Sequence, residues 1–192
     1  MTDLNQAIKV LKEGGIVIFP TDTAYGIGCR MDDEKAIRRL FDLRRRPPVQ
    51  AVPVLVDSIT QAEKYLVPPL PDNVRHLMKR YWPGALTVIY PCSTSKVPEL
   101  VRGGGTTLGV RMPNHEIALS LIKGIGVPLL GPSANFHGRA TPYSFADLDR
   151  ELVKLVNYVI KGECRLREAS TVVDCSKRQW RVIRQGAVVV NL

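Results

Sequence analysis

The side chains best suited to chemistry in this sequence lie in short polar stretches that directly follow apolar runs. Ile16-Val17-Ile18-Phe19 is a mostly β-branched run that reads as a buried strand, and Pro20 stops it. Thr21-Asp22-Thr23-Ala24-Tyr25-Gly26-Ile27-Gly28 comes next, with two hydroxyls, a carboxylate, a phenol and two glycines. Polar loops at strand ends are where α/β folds hold ligands, and glycine lets a backbone come close to them. An Asp-stabilised, solvated turn is the other reading, and the stretch alone does not choose. A second loop of the same build follows Val127–Leu130: Gly131-Pro132-Ser133-Ala134-Asn135 sets a hydroxyl and an amide two residues apart. Arg44-Arg45-Arg46-Pro47-Pro48 offers guanidinium forks that suit phosphate or carboxylate, with Arg44 and Arg46 alternating toward one side of an extended exit. Cations that complement a helix C-terminus and stay solvated explain the same run. Thr107–Arg111 ends a further strand in an arginine.

Several chemistries are missing from the sequence. There is no Gly-Lys-Ser/Thr of a Walker loop and no GxGxxG fingerprint. Ser93 and Lys96 spell SxxK without the companion β-lactamase motifs. Cys29, Cys92, Cys164 and Cys175, with His76, His115 and His137, show no metal-ligand spacing, so reduced structural thiols are expected and no metal site is read. The formal charge of +9 implies an anionic partner, nucleotide phosphates, RNA or both. At 192 residues, 45% apolar and 23% charged, the chain reads as one soluble domain, 1–192. No apolar run approaches a membrane span and the N-terminus lacks a signal pattern, so no membrane partner and a cytoplasmic location are expected.

The elements that must position these groups follow from periodicity. Thr2 or Asp3 can cap a helix carrying Leu4, Ala7, Ile8 and Leu11, which Gly14-Gly15 ends. After the turn at 23–28, Asp32, Asp33 and Glu34 open a second helix with Ala36, Ile37, Leu40 and Phe41 on its buried face. The spacing then predicts a strand over Val52–Val56, a short Ser58-capped helix, an Asp72-capped helix, and a strand over Ala85–Tyr90. Cys92–Gly105 reads as a mobile loop and candidate lid. A helix capped by Asn114, the strand Val127–Leu130, and a long helix from Ser144 to about Val156 follow. Tyr158–Lys161, Ser170–Asp174, Trp180–Arg184 and Ala187–Val190 read as short strands. Helices alternating with strands, then a run of strands, predict an α/β domain with a mixed sheet.

Together these segments resemble the YrdC family, the threonylcarbamoyl-AMP synthases. Pro20–Gly28 is similar to the family's PTD/ETxYGLG, Arg44-Arg45-Arg46-Pro47 to KxRP, and Trp82-Pro83-Gly84-Ala85-Leu86-Thr87 to WPGxLT. Gly109–Pro113 is similar to GVRxP, Ser133-Ala134-Asn135 to SxN, Ser170–Asp174 to STVVD, and Val182–Gly186 to the late VxRxG. The motifs fall in family order over nearly the whole chain, and the chain resembles the short form that lacks an additional C-terminal domain. The resemblance implies a twisted, open mixed β-sheet with flanking helices around a basic concave pocket. It also implies a nucleotidyltransferase reaction: L-threonine, bicarbonate and ATP give threonylcarbamoyl-AMP and pyrophosphate. The product serves threonylcarbamoylation of tRNAs that read codons starting with A.

By the same resemblance, Thr23, Tyr25, Arg111, Ser133 and Ser170 would hold threonine, with Arg111 on its carboxylate. Arg44, Arg46, Pro48, Thr107, Asn135, Tyr143 and Arg184 would hold ATP, Pro48 and Tyr143 through backbone. No residue is assigned as an acid or base; Arg44, Arg46, Ser133 and Asn135 would position the reactants. Mg²⁺ would come with ATP, and a downstream tRNA threonylcarbamoyl transferase, tRNA or double-stranded RNA are the implied partners. Three positions depart from the family: Arg44 replaces a lysine, Arg165–Ala169 fills a usually Gly-rich segment, and Leu55 stands where longer members often place a histidine. A non-catalytic relative binding RNA through the same cavity, and a domain like that of a hydrogenase-maturation protein, are the alternatives.

Overall fold

The computed structural model describes residues 3–191. Helix α1 (Asp3–Lys12) leads into strand β1 (Val17–Phe19), and β2 (Gly26–Gly28) pairs back on it antiparallel. The stretch expected to be only a turn is therefore a hairpin whose second arm is the glycine-rich segment; Thr2, the other candidate cap, lies outside the described residues. Helix α2 (Glu34–Arg44) is capped by the Asp33 carboxylate, which accepts from Ala36 N. Next come β3 (Val54–Leu55), α3 (Ile59–Glu63) capped by Ser58, α4 (Asp72–Tyr81), β4 (Leu86–Pro91), α5 (Glu99–Arg102) and β5 (Thr107–Arg111). Helix α6 (Glu116–Ile125), β6 (Leu129–Leu130), α7 (Arg150–Leu155), β7 (Tyr158–Val159), β8 (Thr171–Asp174) and β9 (Arg181–Arg184) complete the order.

Two sheets result, β2-β1-β7 and β6-β3-β5-β4-β8-β9, each mixing parallel and antiparallel pairs. Single bridges from Gly26 to Ser133 and from Arg30 to Leu129 join β2 to the end of β6. Gly28 permits this seam: a Cβ there would fall 1.9 Å from the Leu130 carbonyl oxygen. Alternation along the strands sorts side chains to two faces. Val17, Phe19, Leu55 and Leu129 pack with Ala7, Leu11, Leu121 and Ile122 of α1 and α6, while Ile16, Ile18, Val54, Val56 and Leu130 join the larger core with α2, α4 and α7.

Some elements differ from the sequence reading. Asp72 and Asn114 are not caps; Pro71 and His115 hold those positions without side-chain capping bonds. The helix expected from Ser144 to Val156 is split, because two capping signals compete. Ser144 and Asp147 form a capping box around a single 3₁₀ turn (Phe145–Asp147), and Asp149 then caps α7. Segment 92–105 holds helix α5, with Val97 and Val101 buried against the core. Ala187–Val190 forms no strand; Thr171 Oγ1 holds it instead, taking Gly186 N (3.0 Å) and bonding Val188 O.

Candidate active site

The two polar loops and the arginine run converge on one cleft of about 190 Å³ at the seam between the sheets. Ile27 N bonds Pro132 O and Ala134 N bonds Tyr25 O, so the 21–28 hairpin and the 131–135 loop are laced together along their backbones. Thr23, Tyr25, Arg44, Arg46, Arg111, Ser133, Ser170 and Arg184 all line the cleft, as do Thr21, Leu55 and Thr87.

One wall is built around Arg111, which is buried at the end of β5. Its Nη2 donates to the Asp22 carboxylate, its Nη1 to Thr23 Oγ1 (2.7 Å) and its Nε to the Gly84 carbonyl (3.0 Å). Burial lowers the Arg111 pKa, and the Asp22 carboxylate works against that. Asp22 is only 2% exposed, and its second oxygen has no partner. Thr21 Oγ1 donates to Ala24 O (2.7 Å), so the 3.0 Å contact between the two threonine hydroxyls takes its proton from Thr23. Thr23 Oγ1 is left with acceptor capacity only, which suits a donor such as an amine or hydroxyl. The Tyr25 phenol is spent on Gly162, donating to its carbonyl (2.6 Å) and accepting from its N–H (2.9 Å), so this residue pins the wall rather than offering its hydroxyl.

The rest of the lining includes Arg44, Arg46 and Arg184, a second, cationic wall, and among the described residues no ion pair involves any of them. The exit from α2 is not extended as the sequence suggested. Arg44 closes the helix and Arg45 takes a left-handed conformation (φ 53°), with Arg45 N bonded to Asp42 O and Arg46 N to Phe41 O. This tight reversal brings Arg44 and Arg46 to the same cleft. Neutral acceptors hold the three guanidiniums in place: Arg44 Nε on Asn135 O (3.0 Å), Arg46 on the Gln50 and Ala51 carbonyls, and Arg184 on Ser170 O (3.0 Å) and Ser170 Oγ (3.1 Å). Burial, with the Arg46 charge second, pushes the Arg44 pKa down to about 10, and Arg44 Nη1 has no partner. Burial lowers Arg46 and Arg184 as well. Of the three, Arg44 is buried, Arg46 half-buried and Arg184 exposed; a cation desolvated without counter-charge, with two more beside it, is suited to an anion.

Four expected contacts lie off this cleft. Thr107 stands at the other end of β5 from Arg111, roughly 13 Å along the strand. Asn135 braces the loop: its Oδ1 accepts from Ser133, and its Nδ2 donates to Phe136 O (3.0 Å) and Arg139 O (2.7 Å). Tyr143 is near enough to Arg184 to affect its titration but does not line the cleft. Pro48 faces a larger cavity of about 350 Å³ beyond the 46–51 turn, where Ile37, Val49, Pro98 and Leu100 predominate and the motif residues do not converge. Thr21, Asp22, Thr87 and Thr141 are polar residues of the site that the sequence did not assign; the first three lay inside matched motifs.

A sequence model described as Sua5_yciO_yrdC, telomere recombination, matches residues 9–186. The chain belongs to that family. A threonylcarbamoyl-AMP synthase of Bacillus subtilis is 35% identical over 187 residues, 95% of this chain and 53% of the relative. One from Aliivibrio fischeri is 30% identical over 97% of this chain and 100% of its own length. The solved Sua5 of Pyrococcus abyssi in complex with L-threonine superposes with a TM-score of 0.91 at 36% identity, over 95% of this chain and 54% of that one. The chain thus spans about half the length of the Bacillus and Pyrococcus relatives. The family and the fold agree with the resemblance read from the sequence.

Proposed function

We propose that this cleft binds L-threonine, bicarbonate and ATP and forms threonylcarbamoyl-AMP and pyrophosphate. The observation that carries the reading is the division of the cleft into a charge-balanced wall around Arg111–Asp22 and an unbalanced cationic wall of Arg44, Arg46 and Arg184. A zwitterionic amino acid suits the first, and a triphosphate suits the second. The threonine amine adds to bicarbonate, giving a carbamate with loss of water. A carbamate oxygen then attacks the α-phosphorus and pyrophosphate leaves. Neither step needs covalent help from the protein; both need the reactants held together and the growing negative charge met by fixed cations. Thr23, Ser133 and Ser170 would orient threonine, with the two free N–H groups of Arg111 on its carboxylate. Arg44, Arg46 and Arg184 would meet the phosphates. Asn135 would act by fixing Ser133, while any part played by Pro48, Thr107 or Tyr143 requires the nucleotide to extend beyond the cleft.

Mg²⁺ would arrive on the phosphates of ATP. The product would pass to a transferase acting on tRNA. The test is pyrophosphate release with ATP, Mg²⁺ and bicarbonate, with and without L-threonine. Threonine-dependent release that collapses in Arg111→Ala is expected. No release, with tight salt-sensitive RNA binding, would overturn the reading in favour of an RNA-binding cavity.

A further inference from the structure

Thr87 is buried on β4, 4% exposed, and lines the cleft. Its hydroxyl lies 2.9 Å from that of Ser170. The parallel register of β4 with β8 sets this distance, with Thr87 opposite Val172 and Thr171 N bonded to Ala85 O. Its methyl faces the neighbouring strand, where a Cβ built on Gly109 would lie 3.5 Å from Thr87 Cγ2. A β-branched side chain wedged on both sides has one rotamer, so the hydroxyl is aimed by the sheet.

Counting hydrogens defines what this pair presents. A guanidinium only donates, so Ser170 Oγ accepts from Arg184 Nη2 (3.1 Å) and gives up one lone pair. The two hydroxyls own two hydrogens, and one is spent in the bond between them. The other is left for the cleft. If Thr87 donates, Ser170 Oγ is saturated as an acceptor and can only donate onward; if Ser170 donates, Thr87 offers the free O–H itself. In both cases the pair presents one O–H donor beside the charge-balanced wall, backed by a cation of the other wall.

We infer that Thr87 is a positioning residue for the amino-acid substrate, donating to Ser170 Oγ so that the Ser170 hydroxyl, tied to Arg184, turns its one proton to a substrate oxygen. This rests on the proposed synthase reaction. Without the Thr87 hydroxyl, Ser170 is free to turn its proton elsewhere and the donor is no longer aimed.

The experiment compares wild type, Thr87→Val, Thr87→Ser, Ser170→Ala and the Thr87→Val/Ser170→Ala double variant. Pyrophosphate release gives kcat and the KM for L-threonine, and calorimetry gives threonine binding. Thr87→Val, whose second methyl replaces the hydroxyl at nearly equal volume, should raise the threonine KM about tenfold, as expected for one hydrogen bond, with kcat within about twofold. Thr87→Ser should recover most of the loss, and the double variant should be no worse than Ser170→Ala alone. Thr87→Ala serves as well if the valine variant does not fold. A Thr87→Val protein that melts earlier but keeps its threonine KM would overturn the inference, as would additive effects in the double variant. If wild type neither binds threonine nor releases pyrophosphate in response to it, the synthase reading falls and takes this inference with it. A responsive wild type with an unaffected Thr87→Val removes the inference alone.

Discussion

The two walls of the cleft carry the same functional group in opposite electrostatic states. Arg111 is buried with a carboxylate, a hydroxyl and a carbonyl around it, so its charge is met before any ligand arrives. Arg44 is buried as deeply, with 3% exposure against 6% for Arg111, yet its one bonded partner is the Asn135 carbonyl and its Nη1 is left over. A paired cation belongs to the architecture, and removing one partner leaves an uncompensated charge. An unpaired one stores a desolvation cost that an anion relieves on binding. The same side chain thus braces the structure on one wall before any ligand arrives, and on the other stands without a counter-charge.

The comparison breaks most visibly in stability. Arg111→Ala strands the Asp22 carboxylate, whose second oxygen already lacks a partner, and should cost about 3–5 kcal/mol in denaturant unfolding. If Arg111→Ala unfolds at the wild-type denaturant midpoint, the pair is no brace. Arg44→Met should behave in the opposite way. Its hydrogen bond to Asn135 is lost, at about 1 kcal/mol, but the burial cost of an unpaired cation goes too. The unliganded protein should therefore keep or gain stability, while its affinity for ATP or inorganic pyrophosphate should fall about tenfold or more, for a lost charge-assisted contact. Calorimetry with pyrophosphate checks this directly. Equal stability losses in both variants would erase the distinction between the walls.

How much of this was legible in the sequence follows the range of each interaction. The apolar run Ile16–Phe19 is local and reads correctly as a buried strand, but that Ile16 and Ile18 enter one core and Val17 and Phe19 the other emerges only from the fold. The convergence of the motifs was legible only through family order, because Asp22 and Arg111 are 89 residues apart and nothing in their spacing pairs them. Arg44 and Arg46 were placed together for the wrong reason: a left-handed Arg45, not an extended exit, aims them. Asn135 entered as an ATP contact through the family resemblance. In the closed loop its amide also braces Ser133, Phe136 and Arg139, contacts that its position in the sequence does not show. Thr87 was hidden by its position in a strand, where one hydroxyl among apolar residues gives no signal.

A smaller effect tests how the cationic wall is aimed. The Arg45 guanidinium sits 5.0 Å from the Phe136 ring centroid, over the loop whose Asn135 carbonyl holds Arg44, and His137 N bonds the Arg44 carbonyl. Phe136→Leu keeps apolar bulk but removes the ring face, a contact of about 0.5–1 kcal/mol at such a site. Pyrophosphate affinity should fall about two- to fivefold, the range that energy corresponds to, with threonine affinity unchanged. A matching fall in threonine affinity would mean that the walls move together.

The smallest effect concerns the balanced wall and pH. His115 Nε2 meets the Glu163 carbonyl at 3.2 Å, in the segment whose Leu166 N–H bonds the Asp22 carbonyl, and its Nδ1 is buried without a partner. Burial sets its pKa below the ordinary 6.5. The Glu163 carbonyl and the Asp22 charge oppose that shift, Arg165 adds to it, and Glu116 also opposes it. Between the lowered folded value and 6.5 the unfolded chain binds more protons than the folded one, so stability rises with pH across that window and is lost as pH falls through it. His115→Gln should flatten this part of the stability curve, measured as denaturant midpoints from pH 7 down to 5. An unaltered slope in His115→Gln would move the acid sensitivity away from this segment altogether.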